Sequence, residues 1–110
     1  MWIVKFYSPK CRHSISLLPE FTKLAQMAKD KFPVGVVNCL QDNNLCLEYD
    51  ITAYPRVAFL FKSYIIDFSG ERKSDEMMRA AEVAFDEFKK FLKFKKLSKR
   101  YVLSLKQIQR

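Results

Sequence analysis

Residues 2–7 (Trp-Ile-Val-Lys-Phe-Tyr) are apolar apart from Lys5, are rich in β-branched and aromatic types, and stop at Ser8-Pro9. That pattern predicts a buried strand ending in a turn. From Cys11 to Phe32 the apolar residues Ile15, Leu18, Phe21, Leu24, Ala25, Ala28 and Phe32 recur at three- and four-residue intervals, which predicts an amphipathic helix. Pro19 falls inside that span, so the reading expects a kinked axis. Phe32-Pro33 closes it, and Val34 to Cys39 reads as a second strand. Asp42-Asn43-Asn44 offers side-chain acceptors to free backbone N–H groups and opens a short helix through about Tyr49. Ile51 to Tyr54 connects to Pro55. Arg56–Phe61 and Tyr64–Phe68 then read as two strands separated by Lys62-Ser63, an antiparallel hairpin. Ser69 to Arg72 turns the chain toward a last helix with Ser74 as N-cap and Met77, Ala81, Ala84, Phe85, Phe88, Phe91 and Leu92 as its apolar face.

The predicted order is β-α-β-α-β-β-α. A length of 110 residues with 49% hydrophobic and 15% aromatic residues suits one domain with a single core. No apolar run approaches the roughly 20 residues of a membrane-spanning helix. Residues 1–7 enter the apolar pattern without a basic leader or a small-residue cleavage site, so no signal peptide is expected there. The net charge of +8 is concentrated at one end: residues 89–110 hold nine basic residues and no acidic one, leaving the first 88 at −1. The reading divides the chain into a domain over 1–92 and a basic extension over 93–110, taken as a solvated helical or disordered tail that lacks a nucleic-acid motif. Nucleic acid is not an expected partner.

Three motifs fall on this order of elements in sequence. The segment Phe6-Tyr7-Ser8-Pro9-Lys10-Cys11-Arg12-His13-Ser14 resembles the strand ending in Phe-Tyr-Ala-Pro-Trp and followed by Cys-x-x-Cys in thioredoxin-fold domains of the protein disulfide isomerase family. Tyr54-Pro55 is similar to the cis-proline dipeptide that faces the active-site cysteine in that fold. Asn38-Cys39 through Cys46-Leu47-Glu48-Tyr49-Asp50-Ile51 resembles the isomerase segment leading into that proline. The resemblance covers residues 2–92. It implies a thioredoxin-like α/β fold whose usual first strand and helix would precede Trp2, so this sequence reads as a domain fragment or an incomplete gene model.

Cys11 is the expected nucleophile. A cysteine at a helix start sees free N–H donors and the positive end of the helix dipole, both of which favour thiolate. Lys10, Arg12 and a protonated His13 add positive charge, so a pKa below the usual ~8.5 is expected. Ser14 stands where the family has its second cysteine, and a hydroxyl cannot form a disulfide. The reading is therefore a monothiol Cys-x-x-Ser site, with release left to a client thiol, glutathione or another oxidoreductase. Its partners are protein clients carrying cysteines, with Tyr54 and Pro55 as the client-backbone contact and no cofactor. A zinc site does not match the cysteine and histidine spacings.

The resemblance further implies a structural disulfide between Cys39 and Cys46, and from it an oxidising compartment, the endoplasmic reticulum lumen. The alternative function is a non-catalytic client-binding or retention module of the same fold. Two departures stand out: Lys5 occupies the place where many isomerase domains carry a buried acid, and Lys10 replaces the usual Trp. Arg72, after Gly70, reads equally as a surface charge or as a support for the site.

Overall fold

Strand β1 (Trp2–Tyr7) is at the interior of the sheet because nearly all of it is apolar: Ile3 and Phe6 are fully buried, and Val4 and Lys5 nearly so. The structure is a computed structural model that describes residues 1–12, 16–62 and 65–95. Strands β2 (Val34–Asn38), β3 (Arg56–Leu60) and β4 (Ile65–Asp67) complete one sheet in the order β2-β1-β3-β4. β1 pairs in parallel with β2, with Ile3 opposite Val34, and antiparallel with β3, with Val4 opposite Ala58. The β3–β4 pair is antiparallel, as the two-residue separation predicts.

Among the described residues, the sheet is accompanied by helices α1 (Leu18–Ala28), α2 (Asn43–Glu48) and α3 (Ser74–Lys95). Alternation along β1 divides the core. Ile3 joins Phe21, Leu24 and Ala28 of α1, Val57 and Phe59 of β3, and Met77, Met78, Ala81 and Ala84 of α3. Val4 and Phe6 face the opposite way and pack with Cys39, Cys46, Ile51 and Ala58 under the short α2. Burying a Phe or Leu of this kind contributes about 1.5–3 kcal/mol, so these two clusters hold the sheet between its helices. This is the thioredoxin-like α/β arrangement.

The first helix departs from its predicted extent. The regular helix α1 begins at Leu18, with Pro19 in its first turn, and the break in helical structure at Leu17 falls beside the proline that was expected to bend the axis. Arg12 and Ser16 have helical backbone as well, with residues 13–15 outside the described set and a turn at Leu17. The helix ends at Ala28, where the N–H groups of Lys31 and Phe32 both reach the Ala28 carbonyl. The chain turns there, before Pro33.

Ser74 is the first residue of α3, and its N–H is received by Glu20 Oε1 of α1 at 2.9 Å. One helix thus supplies the N-terminal acceptor of the other, which Ser74's own hydroxyl was expected to do. That bond, more than the neighbouring Lys23, holds the Glu20 carboxyl below its usual range. α3 runs to Lys95, past the expected domain boundary at residue 92. Lys89 and Lys90 lie 3.9 and 3.7 Å from Asp86 and Glu87 at exposed positions. Such pairs contribute little to stability and suit a solvated helix face. The rest of the basic extension lies outside the described residues.

Candidate functional site

Cys11 follows the turn that ends β1. The turn is closed by the Cys11 N–H bonding to the Ser8 carbonyl at 3.0 Å, and Cys11 is partly buried. Its neighbours Lys10 and Arg12 are exposed, whereas His13 and Ser14 lie outside the described residues. Across from it, the peptide bond between Tyr54 and Pro55 is cis, and the Cys11 thiol donates to the Tyr54 carbonyl at 3.5 Å. Two segments 43 residues apart in the sequence therefore meet at one sulfur. Chemically, this sets a thiol beside a partly exposed loop that ends in a buried proline.

The loop carrying Tyr54 and Pro55 is fixed from two directions. Arg72 donates from Nη2 to the Pro55 carbonyl at 2.9 Å. This places Arg72 as a support of the site, the alternative that the sequence left undecided. Arg56, the first residue of β3, donates to Asp67 on β4 at 2.6 Å and to the carbonyls of Tyr49 and Asp50 at 3.1 and 3.3 Å. It thereby ties the end of α2 to the hairpin. Replacing Arg72 with Gln should cost about 1 kcal/mol in urea unfolding, the net value of one charge-assisted hydrogen bond partly exposed to water. A variant as stable as the parent would show that water replaces the guanidinium without loss.

In the cluster against which Tyr54 packs, Cys39 and Cys46 form a disulfide with Cα atoms 5.7 Å apart. Both sulfurs are buried, Cys39 just beyond β2 and Cys46 in α2. The pairing that the family resemblance implied is present, and it removes both residues from the pool of reactive thiols. Cys11 is the cysteine outside this bond.

Lys5 is 4% exposed, and its ammonium lies 5.3 Å from the ring centroids of both Tyr7 and Phe21. Burial pushes its pKa down from the ordinary lysine range. Among the described residues no group of three or more His, Cys, Asp or Glu is placed to hold a metal ion, and no helix is long and apolar enough to cross a membrane.

Comparison with known proteins places these features in a family. The thioredoxin family model matches residues 1–83. Over 92 residues the chain is 35% identical to the protein disulfide-isomerase A6 homolog of Drosophila melanogaster, covering 82% of this chain and 21% of that protein. Over 85 residues it is 32% identical to a putative protein disulfide-isomerase of Dictyostelium discoideum, covering 71% of this chain and again 21% of the relative. The chain thus spans about a fifth of the length of these relatives. Among solved structures, the J-Trx1 fragment of ERdj5 superposes with a TM-score of 0.70 at 28% identity, over 76% of this chain and 40% of that one. The first two thioredoxin domains of Eps1p from Naumovozyma dairenensis give 0.68 at 29% identity, over 73% and 33%. With the cis-proline loop facing Cys11 and the matched model over three-quarters of its length, the chain belongs to the thioredoxin family, as a domain of the protein disulfide isomerase type.

Proposed function

We propose that this domain carries out thiol–disulfide exchange on cysteine-bearing protein clients through the single cysteine Cys11, in the endoplasmic reticulum lumen. The observation that carries the reading is the approach of Cys11 Sγ to the Tyr54 carbonyl across the cis-proline loop at 3.5 Å. An extended client segment laid along that loop brings its own sulfur to Cys11, in the manner of an added strand. The Cys11 thiolate attacks one sulfur of a client disulfide. A Cys11–client S–S bond forms, the client S–S bond breaks, and the departing sulfur leaves as a thiolate that takes a proton from water. Ser14 offers no thiol to attack this mixed disulfide, so a second thiol of the client or of another molecule must release it. That favours capture and isomerisation over net oxidation of dithiols. Arg12 and His13 act by positive charge on the thiolate. The lumenal location is supported by the buried Cys39–Cys46 disulfide, a bond that persists in oxidising compartments.

The test is covalent capture. Incubated with a peptide disulfide, the full chain should gain the mass of one peptide half, released by reductant, and Cys11→Ser should gain none. No adduct on the parent protein would end the reading. Reversible client binding retained in Cys11→Ser, with no turnover of scrambled disulfides by the parent, would instead establish the non-catalytic binding or retention module.

A further inference from the structure

The exchange chemistry assigned to Cys11 and the Tyr54–Pro55 loop leaves one ionisable group of the core without a task. Lys5 stands near the middle of β1, opposite Val36 on β2 and Val57 on β3. By strand alternation its side chain enters the face covered by α1 and α3. The neighbours it meets across the sheet and on α1 are uncharged: Val36, Val57 and Phe21. Tyr7 is the titratable group beside it on its own strand. Glu20, next to Phe21 on α1, is held by the Ser74 N–H and by Lys23. Among the described residues, no carboxylate comes within ion-pairing distance of the Lys5 ammonium.

A cation in this position is expensive, and two aromatic faces offset only part of the loss of water. An apolar residue of the same length would fill the space without that penalty. Lys5 has a direct structural route to the site: β1 leads through Tyr7 and the closed Ser8–Cys11 turn to the sulfur, and Phe21 belongs to the helix that follows the sulfur. At the end of that route, a developing negative charge on Cys11 is a charge that a buried ammonium can serve.

We propose that Lys5 is a positioning residue for the exchange reaction, a buried cation on the strand that leads into the site, whose field stabilises the thiolate of Cys11. The coupling is reciprocal: the thiolate favours the ammonium, and the ammonium favours the thiolate. In a medium of effective dielectric ~20, one opposite charge at roughly 10 Å moves a pKa by about one unit. The inference rests on the assignment of Cys11 as the nucleophile.

The experiment is the rate of Cys11 alkylation by iodoacetamide, a neutral reagent, against pH in the full chain. Lys5→Met should move the midpoint up by about one pH unit and raise the plateau above it about threefold, because a more basic thiolate is the better nucleophile once fully formed. Lys5→Gln, which keeps a polar group without charge, should shift it likewise. Lys5→Arg should bring it back toward the parent value, a rescue that packing alone would not produce. Coincident midpoints in the parent and both uncharged variants would overturn the proposal while leaving the role of Cys11 intact, provided the parent still forms the peptide adduct. A parent that forms no adduct overturns both.

Discussion

Replacing Cys39 and Cys46 together with Ala is expected to destabilise the domain by at least about 2.5 kcal/mol. Residues 39 and 46 are seven apart in sequence, and closing a loop of that size in the unfolded chain accounts for about that much by chain entropy at 25 °C. The folded side of the balance adds to it. Both cysteines are buried in the cluster of Val4, Phe6, Ile51 and Ala58, so two alanines also leave unfilled space between the sheet and α2. The midpoint of urea unfolding should fall by roughly 1–2 M. Peptide capture by Cys11 should survive below that midpoint, since neither cysteine of the disulfide takes part in the Cys11–Tyr54 hydrogen bond. An unchanged midpoint would mean that β2, β1 and α2 are held by packing alone.

The elements that the sequence predicts well are those whose local preference and tertiary environment agree. β1 is a run of β-branched and aromatic residues, and it becomes an interior strand. The α3 pattern of Met77, Ala81 and Ala84 becomes a buried stripe against the sheet. The far end of α1 shows where this agreement fails. The apolar period runs on to Phe32, but the helix ends at Ala28, because the Lys31 and Phe32 N–H groups turn back to the Ala28 carbonyl, a closure that the apolar spacing does not encode. Glu20 was invisible for a related reason. Its partner is a backbone N–H 54 residues away, and no side-chain pattern announces an acceptor supplied by another helix.

The site was legible in proportion to how local its signals are. Cys11 after Ser-Pro and the Tyr54-Pro55 pair are short motifs, and the fold brings them together. Arg72 was ambiguous because an arginine after a glycine turn looks the same whether it points to water or to the carbonyl of Pro55. Lys5 stood out as the one charge in an apolar run. The sequence could not tell whether its ammonium escaped to solvent, a common behaviour for a long flexible side chain. The structure keeps it inside, at 4% exposure between two rings.

That burial yields the second large effect: Lys5→Met should stabilise the domain by about 1–3 kcal/mol at neutral pH, within the range for exchanging buried charge for apolar packing. The sign follows from linkage. Burial lowers the folded-state pKa of Lys5 below the unfolded value of ~10.4, so between those two values the unfolded chain binds more protons and stability rises with pH. Below the folded pKa the destabilisation by the charged lysine is fully present, and above the unfolded pKa it has vanished. The advantage of Lys5→Met should therefore be greatest below the folded-state pKa and shrink as the pH approaches ~10.4, where the penalty from Lys5 has gone. Urea unfolding of the two proteins at a series of pH values measures this directly. A constant difference across the series would show that methionine gains by shape rather than by removing charge, and a loss of stability at neutral pH would show that the ammonium is better solvated than its position implies. If stability rises in Lys5→Met while alkylation of Cys11 slows at neutral pH, the lysine has the signature of a group that opposes folding and serves reactivity.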